Sequence, residues 1–173
     1  MIENNYISSA TGIFRQYRVM GEKAIEQVPD EKLSWQYNPE TNSVITIVKH
    51  LSGNMLSRFT DFMITDGEKE WRNRDAEFEN EILSRESLVS HWNKGWDCLF
   101  NALDCLKPGD LSNLVVIRNE KHTVLEAINR QLVHYASHVG QIIMLAKMIC
   151  DSHWKTLSIP RGGSVAFNAE KGL

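Results

Sequence analysis

The sequence reads NRQLVHYASHVGQII from Asn129 to Ile143, a segment with no proline and a single glycine. Its apolar residues recur at three- and four-residue steps, the pattern of an amphipathic α-helix. His134 and His138 stand four residues apart, so a helix places both on one face, with roughly 5–6 Å between their Cβ atoms. Two such imidazoles can bind one divalent metal ion, although two half-buried histidines with ordinary hydrogen bonds fit the same spacing. A metal site therefore requires a third ligand from elsewhere in the chain.

Composition limits the class of protein to which this segment belongs. The 173 residues suffice for one domain, 1–173, and are short for two. A formal charge of −3 argues against a nucleic-acid partner. No apolar run approaches the roughly 18–20 residues that span a bilayer, so no membrane association is expected. The N-terminus lacks the features of a signal peptide and the three cysteines form no CxxC motif, which together predict a cytoplasmic protein.

Three further segments show helical periodicity, and the chain also carries turn and cap signals between them. We predict helices at about Tyr6–Val28, from Asn42-Ser43 to Thr65, from Ser84 to the stop at Lys107-Pro108-Gly109, and from the capping box Thr123-x-x-Glu126 to Cys150. A short hairpin is expected near Leu114–Lys121, and an extended C-terminal tail from Trp154 to Leu173. Four long amphipathic segments in one domain predict an all-α four-helix bundle with long crossover loops, in which sites are built from facing helices.

The predicted second helix offers the third imidazole. His50 lies beside its apolar stripe, where a lone histidine is more often an ordinary core residue. If helices two and four are neighbours, His50, His134 and His138 converge as three neutral nitrogen ligands with a coordination position left open, the pattern of catalytic zinc. Nickel and iron also accept imidazoles, so the sequence does not name the metal.

Two groups of polar residues are predicted near this cluster. Asn54 and Arg58 follow His50 on the same side of its helix. Gln131 and Gln141 bracket the histidine pair on its own face, where they could orient an imidazole or a water molecule.

Three arginines are further candidates for residues that bind a substrate. The charged crossover 68–82 contains Arg72 and Arg74, and the tail contains Arg161. These side chains could bind an anionic group of a substrate. The alternative for the crossover is a solvated connection held down by Trp71, which we favour. No carboxylate is expected one turn from the cluster as a general base, and the catalytic residues stay unassigned.

Five strings of the sequence resemble the DinB-like superfamily of metal-binding four-helix bundles, and most closely a branch catalogued as a domain of unknown function. They are NSVITIVKHLSGN (42–54), WRNRD (71–75), HTVLEA (122–127), NRQLVHYASHVGQ (129–141) and SIPRGGSVAFN (158–168). The resemblance implies that His50, His134 and His138 are metal ligands and that the protein is a homodimer. The superfamily also includes thiol-dependent S-transferases and a mycothiol-dependent maleylpyruvate isomerase, so a low-molecular-weight thiol is an implied cofactor.

Two classes of function stay open at this point. The first is an enzyme acting on a small-molecule substrate: a transferase in which zinc or nickel binds a thiol as thiolate, or a metal-dependent hydrolase. The second is a non-catalytic module, in which the metal is structural or senses a ligand. Its homodimer would use aromatic side chains such as Trp92, Trp96 and Phe100. The missing carboxylate base weakens the case for hydrolysis more than the case for thiol transfer.

Overall fold

Helices dominate the computed structural model, which describes residues 2–172. The helices are α1 (Ile2–Ile25), α2 (Val44–Phe59), α3 (Arg74–Glu77), α4 (Arg85–Asp104), α5 (Val124–Cys150) and α6 (Ser164–Glu170). Strands β1 (Leu114–Ile117) and β2 (Glu120–Thr123) pair antiparallel, with Leu114 opposite Thr123. The predicted all-α class and the hairpin before the last long helix are confirmed. Within residues 2–172, no helix is both long enough and apolar enough to cross a membrane.

Side-chain caps begin three of the long helices where the sequence places them. The Ser43 hydroxyl accepts a hydrogen bond from the backbone N–H of Thr46 at the start of α2, and Ser84 caps α4 in the same way. At α5, Thr123 and Glu126 form the predicted reciprocal capping box. Each cap satisfies backbone donors that a helix start leaves without partners.

Helix ends and the tail differ from the predictions. Helix α1 ends at Ile25 and α2 at Phe59, earlier than expected, because turns interrupt the apolar period. After α2, Thr60 is extended (φ −68°, ψ 123°) and Asp61 adopts a left-handed φ of 50°. The tail is not extended throughout, since it contains α6, although none of the residues of α6 is buried.

The four long helices pack in pairs around an apolar core. Helix α2 lies along α4, α1 lies along α5, and α2 also contacts α5. Gly95 of α4 permits the close approach of α2, because a Cβ there would lie 2.9 Å from the Cα of Ser52. The contact between α2 and α5 allows His50 to meet the histidine pair.

The aromatic residues that were expected at a dimer surface lie in this core. Trp92, Trp96 and Phe100 are 3%, 0% and 6% exposed. Trp96 contacts the buried Tyr135 of α5, with ring centroids 5.8 Å apart. These side chains therefore offer no surface to a partner, and the predicted homodimer rests on the family resemblance alone.

Candidate metal centre

The three predicted ligands meet at one point between α2 and α5. The Nε2 atom of His134 lies 3.2 Å from Nε2 of His50 and 3.1 Å from Nε2 of His138. One ring nitrogen of each histidine lies within 4.8 Å of the other two. His50 is buried, and the other two rings are half-buried. The structure thus places the three predicted histidines together, although His50 and His134 are 84 positions apart in the sequence.

Glu77 holds the far side of the His50 ring. Its Oε2 atom accepts a hydrogen bond from Nδ1 of His50 at 2.9 Å. Arg72 donates to both oxygens of the same carboxylate, from Nε at 2.8 Å and from Nη2 at 2.9 Å. Burial opposes the ionisation of Glu77, but the bonds from His50 and Arg72 outweigh it and hold its pKa below the usual value. Glu77 is therefore a carboxylate with both oxygens engaged.

Local structure places this carboxylate. The Asn73 side chain accepts a hydrogen bond from the N–H of Ala76 and begins α3, whose last residue is Glu77. Gly53, one turn after His50 on α2, leaves space for the carboxylate. A Cβ at Gly53 would lie 2.7 Å from Cδ of Glu77 and closer still to its Oε1 atom. Any larger residue at position 53 must displace the Glu77 side chain.

Hydrogen bonds at Nδ1 set the tautomers of two imidazoles. A carboxylate only accepts hydrogen bonds, so a neutral His50 carries its hydrogen on Nδ1 and keeps a lone pair on Nε2. His138 follows the same rule, because its Nδ1 lies 3.2 Å from Oε1 of Gln141, an amide oxygen. Two Nε2 lone pairs consequently point toward the third ring, an arrangement that a shared cation would stabilise. The donor set fits a divalent ion that accepts imidazole nitrogen.

The surroundings also favour the protonation state that binds metals. Burial, together with the neighbouring His138 and His50, lowers the pKa of His134 to about 3. Burial and His50 likewise lower the pKa of His138, against a smaller opposing effect of Gln141. Since neutral imidazole is the ligand form, no proton has to leave either ring at neutral pH before a metal binds.

A polar cavity of about 230 Å³ opens beside the cluster. His50, His134 and the predicted residues Asn54, Arg58, Arg72, Arg74 and Gln131 line it, together with Arg118 and Arg130. The Oδ1 atom of Asn54 accepts a hydrogen bond from the hydroxyl of Tyr135 at 3.0 Å. Two other predicted residues lie elsewhere. Gln141 contacts His138 and lines a separate, more apolar groove, whereas Arg161 is exposed in the tail and does not line the cavity.

Sequence reasoning missed Glu77, Arg118 and Arg130. The spacing of Arg130, four residues before His134, indicated the same helix face and could have identified it. Glu77 had no such signal, because the crossover holds several glutamates without a period. The favoured interpretation of that crossover is wrong: Trp71 is 60% exposed, whereas the Arg72 side chain is 2% exposed. The Arg72–Glu77 pair, and not the tryptophan, secures the crossover.

Comparison with known sequences adds a family without an assigned activity. The family model described as "Protein of unknown function (DUF1572)" matches residues 1–163. The matched region includes the three histidines, Glu77 and the arginines that line the cavity. No curated protein matches the chain. The chemistry of the site is therefore the basis for a function.

Proposed function

We propose that this chain, which belongs to the DUF1572 family, binds a divalent metal ion through His50, His134 and His138. Zinc and nickel are the ions that we expect. The observation that carries the proposal is the pair of hydrogen bonds at Nδ1 of His50 and His138, which direct both Nε2 lone pairs into the cluster. Three neutral nitrogen ligands leave a coordination position open, as in catalytic zinc sites.

The packing of the helices supports a DinB-like four-helix bundle as the fold. Two helix pairs, α1 with α5 and α2 with α4, are joined by the contact between α2 and α5. The candidate ligands project from α2 and α5, as metal ligands do in bundles that hold their sites between facing helices. The homodimer remains a prediction from the family resemblance, and sedimentation at micromolar protein concentration would test it.

Within that fold we propose a metal-dependent transferase that joins a low-molecular-weight thiol to a small molecule. A divalent ion with three neutral ligands would supply Lewis-acid chemistry and lower the pKa of a thiol at the open position. His50 and His138 are oriented for this by Glu77 and Gln141. Glu77 itself, engaged by His50 and Arg72, is not available as a general base, which favours thiol transfer over hydrolysis.

Metal analysis of the purified protein tests the proposed metal binding. We expect close to one zinc or nickel ion per chain in the wild type and its loss in a His134→Ala, His138→Ala double variant. His153→Ala is the matched control, because His153 is exposed and lies outside the cluster. An unchanged metal content in the double variant would refute the site.

A thiol titration of the cobalt-substituted protein tests whether the bound ion accepts a thiolate. Binding of a thiolate to the ion should produce a thiolate-to-cobalt charge-transfer absorption band that saturates with added thiol. Glutathione, cysteine and other small thiols are suitable probes. A protein that binds one ion per chain but shows no such band with any thiol would instead be a metal-dependent hydrolase or a structural or ligand-sensing module.

A further inference from the structure

The cavity beside the histidine cluster concentrates positive charge. Five of the nine arginines of the chain line it: Arg58, Arg72, Arg74, Arg118 and Arg130. They come from α2, from the crossover, from α3, from the hairpin and from α5. The whole chain carries a formal charge of −3, so this concentration is a property of the fold and not of the composition.

Carboxylates offset only part of that charge. Glu77 pairs with Arg72, and Glu68 lies 2.8 Å from Arg118 and 3.3 Å from Arg58. Asp66, which lies near Arg58 and the hairpin turn, is a third carboxylate, so five guanidinium groups keep an excess of two positive charges. Among residues 2–172, neither Arg74 nor Arg130 has a carboxylate within 4.0 Å, the distance that defines the ion pairs above. These two arginines are therefore available to an anion from outside the chain.

One of the arginines at this cavity is buried and only partly hydrogen-bonded. Arg58 is only 5% exposed, and its Nε has no hydrogen-bond partner among the described residues. The other nitrogens of its guanidinium bond the carbonyl of Gly67, the Ser57 hydroxyl and Glu68. A buried guanidinium that is not fully hydrogen-bonded is unfavourable, and a negative charge in the adjacent cavity would stabilise it electrostatically.

The hairpin holds one of these arginines in advance of any ligand. Arg118 and Asn119 form the two-residue turn with left-handed φ values of 56° and 63°. Their backbone N–H groups donate to the two oxygens of Asp66, at 2.8 Å and 2.9 Å. This carboxylate thereby fastens the turn to the loop after α2 and sets the Arg118 guanidinium at the rim of the cavity. On α5, Arg130 lies one turn before His134, so an anion bound there is adjacent to the cluster.

We propose that this cavity binds a small dianion, with phosphate or paired carboxylate groups, through Arg74 and Arg130. The dianion is the substrate only if the proposed function is correct. Binding of the dianion does not require the metal. The volume, about 230 Å³, is below the roughly 300–1,000 Å³ of pockets that take drug-sized ligands. The excess of two positive charges matches a ligand with two negative charges better than one with a single charge.

Calorimetric titration of the metal-free protein at low ionic strength tests this inference. The probes are inorganic phosphate, succinate and acetate. The chelator that removes the metal is itself a polyanion, so it is dialysed away before the titration. We expect phosphate, succinate or both to bind one per chain and acetate to bind at least roughly ten-fold more weakly. The preferred probe identifies the source of the charge as a phosphate group or a dicarboxylate. Absence of saturation at millimolar concentrations, or equal binding of acetate, would overturn the proposal.

Arginine variants locate the binding. Arg74→Gln and Arg130→Gln remove exposed side chains without ion-pair partners, so both variants should fold. Each should weaken the binding of the preferred dianion by roughly ten-fold or more, because charge-assisted hydrogen bonds are lost. Arg161→Gln, in the exposed tail, is the matched control and should leave it unchanged. Equal affinity in an Arg74→Gln, Arg130→Gln double variant would overturn the site. Since the protein is metal-free, failure of the metal proposal would leave this result intact.

Discussion

Replacement of Glu77 by Gln should weaken the proposed role of His50 as a metal ligand. The substitution keeps the shape of the side chain but removes its charge and half of its acceptors. Arg72, whose side chain is 2% exposed, donates from Nε to Oε1 and from Nη2 to Oε2, and Oε2 also accepts from Nδ1 of His50. In either orientation the new amide NH2 group faces an N–H donor of Arg72. Where it replaces Oε2 it also faces Nδ1 of His50, so the ring hydrogen moves to Nε2; where it replaces Oε1, Nδ1 of His50 keeps only a neutral acceptor.

The expected loss follows from the contacts that change. Removal of the hydrogen-bond partner behind a metal-bound histidine typically lowers metal affinity about 10- to 100-fold. That range corresponds to about 1.4–2.7 kcal/mol of binding free energy. The substitution should also lower the stability of the fold. The buried Arg72 loses a carboxylate at 2.8 Å and 2.9 Å and gains a neutral amide in its place. We expect the free energy of unfolding to decrease by about 1–3 kcal/mol.

Zinc competition against a chromogenic chelator measures the affinity, and urea denaturation of the metal-free protein measures the stability. Glu79→Gln is the matched control, since this exposed glutamate lies two residues away and makes no side-chain contact with the cluster. The control should match the wild type in both assays. A Glu77→Gln variant with zinc affinity within about two-fold of the wild type would refute the orienting role of Glu77.

Three further predictions follow from neighbouring features. Gly53→Ala should lower zinc affinity in the same competition assay because the new Cβ displaces Glu77, whereas Gly12→Ala, whose Cβ meets nothing within 4 Å, should leave it unchanged and raise stability by up to about 1 kcal/mol. His134 has a pKa of about 3 in the folded chain against 6.5 as its ordinary value, so between these pH values the unfolded state binds more protons. The metal-free protein should therefore lose stability as pH falls from about 7.5 to about 5.5, by up to about 1.4 kcal/mol for this group, and urea denaturation of His134→Asn should show a smaller decrease. Removal of residues 158–173 should shift the melting temperature by less than about 2 °C in calorimetry, because α6 buries no residue; a larger decrease would mean that the tail packs more firmly than its exposure indicates.

Local rules made the histidine cluster predictable. The spacing of His134 and His138 and the position of His50 beside an apolar stripe are properties of single helices, and the caps at Ser43, Ser84 and Thr123 are equally local. Only the contact between α2 and α5 had to be assumed, and short-range sequence patterns favour a bundle in which it occurs.

The groups that surround the cluster could not be predicted in the same way. Glu77 differs from the other glutamates of the crossover only through its contacts with His50 and Arg72, which are tertiary. Arg118 reaches the cavity because Asp66 binds the hairpin turn, across 52 residues. The hydrophobicity of Trp71 predicts burial, but this side chain is exposed and the charged Arg72 is the residue that the fold encloses. Irregular segments carry no period from which the inward side can be read.

The pairing of α1 with α5 has a consequence for biosynthesis. Tyr6 of α1 donates hydrogen bonds to Leu125 and Asn129 of α5, across 119 and 123 residues. A ribosome that adds about 5–20 residues per second needs roughly 6–25 s between completing α1 and completing α5. During that interval the apolar side of α1, including Phe14, lacks its main packing partner. The nascent chain should therefore be a chaperone client until α5 emerges, whereas α2 and α4 can pair earlier.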